Sequence, residues 1–236
     1  MKKTAQLKSL VMAMAVAGST VAALAPATSQ AGASANMGIV SSYYFRGIQQ
    51  TGTAAAQGGL DYDFGNGFSV GTWGSSLPSS SGNSQGLEVD VYGGWSGSFS
   101  GVDVGVNLTT YNYTRDSGKG DSNAFDSQYT EGSLDLGYKG FSLGLATGSH
   151  AKTSKTGKSV SYNVYTVGYS IGGLSATYGM GDDMLGKNTD HTWFDVGYST
   201  ELAKGLDGTI TYVNKQQKNT QTDENLIFGI TKSFDL

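Results

Sequence analysis

A two-strand pattern that recurs along the chain is the feature that most constrains how this sequence can fold. In residues 134 to 148, LDLGYKGFSLGLATG, large apolar residues alternate with small or polar ones on both sides of Lys139-Gly140. This alternation around a two-residue turn is typical of a β-hairpin with one apolar face. Related stretches begin at Leu60, Val89, Val167 and Phe194. The five turn centres lie about 31 to 42 residues apart, so that each period holds one hairpin and one loop, and they fall near Asn66, Gly97, Lys139, Gly172 and Ala203.

The pattern predicts a single all-β domain of twelve strands. The predicted strands cover residues 35 to 46, 55 to 64, 67 to 76, 86 to 95, 99 to 111, 125 to 138, 141 to 149, 159 to 171, 174 to 181, 191 to 200, 206 to 214 and 224 to 236. Short turns alternate with longer connections. The turns are at 65 to 66, 96 to 98, 139 to 140, 172 to 173 and 201 to 205, and the loops at 47 to 54, 77 to 85, 112 to 124, 150 to 158, 182 to 190 and 215 to 223. This arrangement indicates a closed antiparallel up-and-down transmembrane β-barrel, with both termini on the periplasmic side and residues 35 to 46 paired with residues 224 to 236.

The N-terminal segment has the three parts of a secretory signal peptide. Lys2, Lys3 and Lys8 precede an apolar run from residue 10 to 24, and small residues follow at 29 to 33. We therefore expect a signal peptide over residues 1–31, with cleavage possible up to residue 35, and one barrel domain over residues 32–236. A membrane anchor is the alternative, although the apolar run is short for a spanning helix. Removing the leader leaves 12 basic residues against 19 acidic ones, a net charge near −7 that argues against nucleic acid as a partner.

Composition indicates which face of the strands meets lipid. Apolar rows such as Val102-Val104-Val106-Leu108 alternate with rows of Gly, Ser, Thr, Asn and Asp that contain almost no lysine. A sheet washed by water normally carries Lys and Glu, so the apolar rows are expected to face lipid and the small polar rows an enclosed lumen. A secreted soluble β-sandwich remains the alternative. Aromatic residues at strand ends predict interfacial girdles, with Phe64, Phe68, Tyr138, Phe141, Tyr169, Tyr198 and Phe234 near the turns and Tyr43, Phe45, Tyr111, Tyr129 and Tyr212 near the loops.

The last strand carries a separate signal at the C-terminus. Leu226, Phe228, Ile230, Phe234 and Leu236 alternate up to the last residue, as in closing strands of outer-membrane barrels. Phe228, Ile230, Phe234 and Leu236 are therefore the predicted assembly signal for the outer-membrane assembly machinery. The terminal Leu, where Phe is usual, and Lys232 within the apolar row depart from the pattern, although a lysine near the interface can extend its charge into water. These features predict that the protein lies in the bacterial outer membrane, where outer-membrane lipid contacts the barrel.

Three stretches of the chain carry a family likeness. SYYFRGI from residue 42, QGGLDY from residue 57 and GFSVGTWGS from residue 67 resemble the TorF-like porins of proteobacteria. The likeness is most specific over residues 38 to 95. It implies an outer-membrane barrel with a pore, but it supplies no substrate and no catalytic residue.

The alternation predicts which charged residues point into the lumen. The inward carboxylates are expected to form an acidic collar, mostly in the periplasmic half, that attracts cations: Asp61, Asp63, Glu88, Asp90, Asp103, Glu131, Asp135, Asp195 and Asp207. Alternatively, these acids only solubilise the lumen or pair through water. Arg46 is placed on the inward face near the loop end, where it can pair with these acids, fix a loop or contact a solute. Glycines on the inward rows favour an open lumen, namely Gly105, Gly137, Gly144, Gly168, Gly179, Gly197 and Gly229.

The sequence offers little support for an enzyme. It contains no cysteine, and the histidines are His150 and His191 at loop edges, so that Ser149 beside His150 is no evidence of a triad. Neither a cofactor nor a metal is predicted. The loop acids Asp182-Asp183, and Asp116 with Asp121, are interpreted as turn residues because they lack the spacing of an EF-hand, and weak calcium binding is the alternative. Loop lysines either pair with lipopolysaccharide phosphates or are solvated, and they are Lys152, Lys155, Lys158, Lys215 and Lys218.

The predicted function is therefore an outer-membrane porin-like channel for passive passage of small hydrophilic solutes or ions, with a preference for cations. The alternative is a non-conducting barrel with a structural or surface-interaction role. The side-chain volume inside the barrel separates the two, because twelve strands lie between the filled small barrels and the open large ones.

Overall fold

The structure, a computed structural model, describes residues 31–77, 86–114, 129–150, 159–184, 189–217 and 222–236. The described residues form strands and connections, and no helix among them is long and apolar enough to cross a membrane. The strands are β1 (Gly32–Val40), β2 (Tyr44–Phe45), β3 (Ile48–Gln49), β4 (Ala55–Asp63), β5 (Phe68–Leu77), β6 (Gly86–Phe99), β7 (Val102–Tyr113), β8 (Tyr129–Tyr138), β9 (Phe141–His150), β10 (Val160–Ile171), β11 (Leu174–Asp182), β12 (His191–Ala203), β13 (Leu206–Gln217) and β14 (Asp223–Asp235).

Twelve of these strands form one closed antiparallel barrel, and β2 and β3 form a separate two-stranded sheet. The barrel closes where β1 pairs with β14, in a register that runs from Ser34 opposite Asp235 to Val40 opposite Gly229. The predicted all-β fold, the strand number of the wall and the closure between the first and last strands are confirmed. Closure leaves the wall without a free edge, which a sheet in lipid requires because hydrocarbon offers no hydrogen-bond partner.

The outer surface of the barrel is apolar. Large apolar side chains of alternate positions are exposed along the wall, for example Ile39, Leu108, Leu143 and Ile230, each more than half exposed. Aromatic residues ring the turn-side end on this outer face, as predicted: Phe64, Phe68, Tyr138, Phe141, Tyr169, Tyr198 and Phe234. A closed barrel with an apolar exterior and aromatic residues at one rim is suited to lipid. A soluble sandwich would bury this face, so the sandwich alternative is excluded.

Two predicted turns are misplaced. The chain does not turn at residues 96 to 98, because Ser96 and Ser98 continue the β6–β7 ladder opposite Gly105 and Asp103. It turns instead at Ser100-Gly101, where φ is 52° and 82°. A run of Gly and Ser reads as a turn by composition, but only a residue pair with positive φ closes this type of hairpin. The predicted turn at 201 to 205 is also shorter, since β12 continues through a β-bulge between Glu201 and Ala203.

The first predicted strand, residues 35 to 46, is wrong beyond residue 40. The wall strand β1 ends at Val40, which is the register partner of Ala55 at the start of β4. Ser41 still donates its N–H to the Phe228 carbonyl of β14 at 2.8 Å, and the residues that follow it leave the wall. Within this segment β2 and β3 pair across a turn at Arg46-Gly47, and the side chains of Tyr43, Tyr44, Arg46 and Ile48 are buried. We call residues 41–54 the inward hairpin, because its side chains contact the inner face of the barrel.

Candidate functional site in the barrel lumen

The inward hairpin is a compact unit held by its own hydrogen bonds. Arg46 and Gly47 have φ of 52° and 77°, the positive pair of a two-residue turn, as at Lys139-Gly140. The backbone N–H groups of Gln50 and Thr51 donate to the Tyr43 carbonyl at 2.8 and 3.2 Å. Tyr43 N–H in turn donates to Thr51 Oγ1 at 2.8 Å. The turn thus presents Arg46 at the tip of a preformed hairpin.

Arg46 forms a buried ion pair with Glu131 of β8. Its Nη1 and Nη2 atoms each lie 2.7 Å from a different carboxylate oxygen, a bidentate geometry, and the two side chains are 2% and 4% exposed. The hydroxyls of Tyr162 and Tyr111 also donate to Glu131, at 2.9 and 3.3 Å. Burial alone would lower the pKa of Arg46, but the Glu131 carboxylate outweighs this effect and the pKa is raised. The guanidinium is therefore charged and anchored.

The backbone of the hairpin tip is held by β12. His191 Nε2 donates to the Arg46 carbonyl at 3.0 Å, and the His191 ring stacks on Trp193 with centroids 5.5 Å apart. Gly47 lies directly against Trp193, such that a Cβ at position 47 would overlap the Trp193 Cβ. Glycine at this position is thus required twice, by the positive φ and by the close approach.

Apolar packing fixes the rest of the hairpin. Tyr43 and Tyr44 pack with Val40, Ala55, Val213 and Ile227, whereas Ile48 packs with Tyr162, Val164, Met184 and Trp193. The loop-side girdle predicted from the sequence is therefore wrong in part. Tyr43 and Phe45 belong to the hairpin, and Tyr111 and Tyr129 pack against it from the inner face instead of meeting lipid.

Among the described residues, the hairpin and the side chains that pack on it fill the loop-side part of the lumen. Glycines on the inner face do not leave this part open, as the sequence suggested, because neighbouring rings cover them. A Cβ at Gly179 would overlap the Trp193 ring, and one at Gly148 the Tyr162 ring. Here the small residues make room for large ones on the adjacent strand, which is the close packing that protein interiors show.

All nine carboxylates predicted to face the lumen lie on the inner face, but they do not form one collar. Six are buried: Glu88, Asp90, Glu131, Asp135, Asp195 and Asp207. Asp61, Asp63 and Asp103 are partly exposed. Glu88 and Asp90 lie at the loop side, because the β6–β7 turn is at 100–101 and β6 extends to Phe99. The predicted collar thus separates into a loop-side group around the hairpin and a turn-side group.

The turn-side part of the lumen is polar and more accessible. Asp61 accepts a hydrogen bond from the Tyr92 hydroxyl at 2.6 Å, and Asp135 accepts one from Ser133 at 3.2 Å. Asp63 accepts from the Gly65 N–H at 2.6 Å, which ties this carboxylate to the turn. Small polar side chains such as Ser142 lie on the same inner face and are partly exposed. This part of the lumen is therefore a polar, acidic vestibule.

Other candidate residues have different surroundings from those predicted. Lys215 belongs to the inner face of β13, near Gly47, and not to a loop. His150 Nε2 donates to the Met184 carbonyl at 2.7 Å, an arrangement that positions the ring without activating Ser149. Residues 78–85, Asp116, Asp121, Lys152, Lys155, Lys158 and Lys218 lie outside the described residues, as do residues 1–30 of the predicted signal peptide.

The predicted assembly residues lie on the outer face of β14. Phe228, Ile230 and Phe234 are exposed there, and Leu236 N–H donates to the Ala33 carbonyl at 3.0 Å. Lys232 donates to the Lys204 carbonyl at 2.6 Å and lies 5.7 Å from the Phe234 ring centroid. Its charge thus reaches the polar turn, as expected for a lysine at an interface.

A closed barrel with an apolar exterior and a polar, acidic interior is the arrangement of an outer-membrane protein. Residues 24–234 match a family described as "Bacterial protein of unknown function (Gcw_chp)". The chain belongs to the Gcw_chp family. The family description assigns no activity. A search of curated proteins finds no significant match for the chain.

Solved structures that are similar to this Gcw_chp protein include outer-membrane channels. The KdgM porin is 13% identical, with 85% of this chain and 99% of that chain covered and a TM-score of 0.52. The COG4313 outer membrane channel from Pseudomonas putida F1 is 10% identical, with 87% and 96% covered and a TM-score of 0.53. The chain spans 55% of the length of OccK9 (OpdG) from Pseudomonas aeruginosa, at 14% identity and a TM-score of 0.42, with 78% of this chain covered. The first two comparisons show the barrel fold of a bacterial outer-membrane channel.

Sequence reasoning placed Arg46 on the inner side but missed the hairpin that carries it. The signal was present, because Arg46-Gly47 lies between YYF and IQ just as Lys139-Gly140 lies between two apolar rows. Tyr162 and Trp193, which contact the hairpin, were not identified at all. Their positions on the inner face follow from alternation, but their role depends on which strands surround the hairpin tip.

Proposed function

We propose that this protein is an outer-membrane channel for small hydrophilic solutes or ions, that it prefers cations, and that the inward hairpin controls its loop-side opening. The single observation that carries the proposal is the bidentate Arg46–Glu131 pair within the barrel. This pair fixes a chain segment across the lumen and also neutralises the arginine of the hairpin tip.

The charge of the lumen supports the preference for cations. The nine predicted inner-face carboxylates are joined by Asp223, which accepts a hydrogen bond from Tyr44 at 3.1 Å, whereas the inner-face Lys and Arg side chains among the described residues are Arg46 and Lys215. Arg46 is already paired with Glu131, so its charge offers little attraction to an anion. A narrow passage lined by carboxylates concentrates cations and repels anions, and salt screens this effect. The preference is therefore expected to be strongest at low ionic strength.

The inward hairpin determines when ions can pass. Its side chains fill the loop-side part of the lumen, whereas the turn-side part is an acidic vestibule. Conduction then requires the hairpin to move, and the ion pair with Glu131 favours the closed arrangement. A conformational equilibrium of this kind shifts when contacts made in only one state are removed.

The alternative is a non-conducting barrel with a structural or surface-interaction role. The same filled loop-side lumen favours it, because an anchored hairpin could serve stability alone. The two functions differ in one measurable property, since only the channel passes current when the hairpin leaves the lumen.

Planar-bilayer recording under a salt gradient tests the proposed selectivity. The purified barrel should pass current with a reversal potential of cationic sign. Replacing Asp61, Asp103 and Asp135 together by Asn should reduce this potential, whereas replacing Asp182 and Asp190 by Asn at the loop rim should leave it unchanged. A reversal potential of anionic sign would keep the channel and overturn the proposed preference.

The proposal also covers the export of the protein, its assembly and its contacts in the outer membrane. A signal peptide over residues 1–31 would direct export, and Phe228, Ile230, Phe234 and Leu236 would engage the assembly machinery. Loop lysines would pair with lipopolysaccharide phosphates. The TorF-like resemblance of residues 38 to 95 fits the same location, and these points remain predictions.

A further inference from the structure

A row of polar side chains crosses three neighbouring wall strands at the loop side of the lumen. Gln57 of β4 is the register partner of Ser75 of β5, which is in turn the partner of Glu88 of β6. All three are buried on the inner face, at 8%, 1% and 1% exposure. Asp90 follows two residues after Glu88 on the same face and is 7% exposed. Directly opposed residues on antiparallel strands have Cβ atoms about 5 Å apart, so these side chains share one small region.

This region contains buried oxygen atoms without a hydrogen-bond partner. They are Glu88 Oε2, Asp90 Oδ1 and Gln57 Oε1. The other Glu88 oxygen accepts a hydrogen bond from the Tyr113 hydroxyl at 2.9 Å. Gln57 Nε2 donates weakly to Ser75 Oγ at 3.4 Å, and the amide oxygen has no partner. Leaving a buried acceptor unsatisfied costs about 1–3 kcal/mol, and more when the group is charged.

Among the described residues, no positively charged side chain lies beside the carboxylates of Glu88 and Asp90. Arg46 pairs with Glu131 and not with Glu88 or Asp90. The hairpin residue next to them is Tyr43, whose ring packs on Trp73 at 5.6 Å. The Tyr43 phenol is a hydrogen-bond partner of Glu88, but it carries no positive charge that would balance the two carboxylates.

We propose that Glu88, Asp90 and Gln57, with Ser75 between them, form a binding site for a divalent cation of the calcium class. Two carboxylates supply the charge that such a cation balances, and an amide and a hydroxyl oxygen complete a set of hard ligands. The unsatisfied acceptors are all oxygens, which matches a cation and offers nothing to an anion.

The inner face between this site and the acidic vestibule also carries carboxylates. Below the Gln57–Ser75–Glu88 row lie Gly59, Trp73 and Asp90, and below these lie Asp61, Gly71 and Tyr92. Asp90 and the partly exposed Asp61 thus continue the acidic groups from the site toward the vestibule. Tyr43 covers the site from the hairpin, so that a bound cation would also favour the hairpin in its inward position. The binding site stands on these contacts and does not depend on conduction.

Terbium luminescence of the purified barrel in detergent tests the site. Tb³⁺ replaces Ca²⁺ at oxygen sites and emits strongly when nearby Tyr or Trp rings are excited, and here Tyr43, Tyr113 and Trp73 lie around the site. We expect saturable emission that Ca²⁺ displaces. Glu88→Gln with Asp90→Asn should weaken binding by roughly 100-fold, because ligand charge sets affinity in such sites.

A matched control separates this site from an exposed acidic group. The carboxylates of Asp182, Asp183 and Asp190 lie within 4.8 Å of one another at the loop rim. Asp182→Asn with Asp190→Asn should leave the emission and its displacement by Ca²⁺ unchanged. Loss of emission in this control variant, or its persistence in the Glu88/Asp90 variant, would overturn the proposal, and so would absence of emission from the wild type.

Gel migration before and after boiling verifies that each variant is folded. If the double variant does not fold, Asp90→Asn alone removes one ligand charge and Gln57→Leu removes one ligand oxygen, and each should lower the affinity for Tb³⁺. Unchanged affinity in both would overturn the site. A positive binding result with no current in bilayers would keep the site and count against the channel, so the two proposals fail separately.

Discussion

The guanidinium of Arg46 and the carboxylate of Glu131 form two 2.7 Å hydrogen bonds inside the barrel, although 85 positions separate them in the sequence. This pair joins the segment that follows β1 to the inner face of β8, across the lumen from the β1–β4 connection. Removing one partner of such a buried ion pair is costly, because the remaining charge stays buried without a counter-ion. The pair therefore makes the position of the hairpin sensitive to a single substitution.

Glu131→Gln removes one charge with almost no change in shape. We expect the free energy of unfolding to fall by about 3 kcal/mol, because the Arg46 charge stays buried without a counter-ion. Urea unfolding of the barrel in lipid vesicles, followed by tryptophan fluorescence, measures the change. The double variant Arg46→Met with Glu131→Leu removes both charges of this pair and should be more stable than Glu131→Gln. A double variant that is less stable would contradict this account of the pair.

Gly47→Ala should expel the hairpin tip from its position. The new Cβ overlaps Trp193, and the positive φ of 77° adds about 1 kcal/mol of strain for a residue with a side chain. Trypsin cleaves after arginine, so cleavage between Arg46 and residue 47 reports exposure of the tip. We expect cleavage to rise by about tenfold or more, as a shift of 1.4 kcal/mol or more would produce.

Gly52→Ala is the matched control for this prediction. A Cβ at Gly52 meets no atom within 4 Å, and Gly52 lies in the same hairpin. Its cleavage after Arg46 should equal that of the wild type. Equal protection of Gly47→Ala and Gly52→Ala would show that the tip tolerates a side chain.

Deletion of residues 234–236 should impair insertion of the barrel more than shortening the loop at 77–85. Phe234 is the register partner of Ala35, and Leu236 N–H donates to the Ala33 carbonyl, so the tail takes part in closure. The heat-dependent gel shift of the membrane fraction measures insertion. Equal insertion of both variants would refute the assigned role of the tail.

Much of the wall could be predicted from the sequence because its pattern is local. Alternation of period two shows which residues share a face, and pairs such as Lys139-Gly140 show where hairpins turn. This local information placed all nine carboxylates on the inner face. It could not separate the turn at Ser100-Gly101 from the Ser96-to-Ser98 run, since both are rich in glycine and serine.

The lumen could not be predicted to the same extent, because its contacts are long-range. Alternating residues such as Tyr44 and Arg46 fit a wall strand as well as a hairpin, and only the pairing of Val40 with Ala55 removes them from the wall. Whether Gly179 opens the lumen depends on Trp193 of the next strand, whose ring covers it. Such facts depend on which residues of neighbouring strands are paired, and alternation within a strand contains no such information.

The central claim, a channel closed by the inward hairpin, is tested most directly by removing the hairpin. Because Val40 and Ala55 are register partners, an Asn-Gly turn can replace residues 41–54 without stretching the chain. Single-channel currents of this variant and of the wild type are compared in planar bilayers under a salt gradient. The account predicts a larger current in the variant, with a reversal potential of cationic sign in both. A correctly folded variant that passes no current, or no more than the wild type, would contradict it.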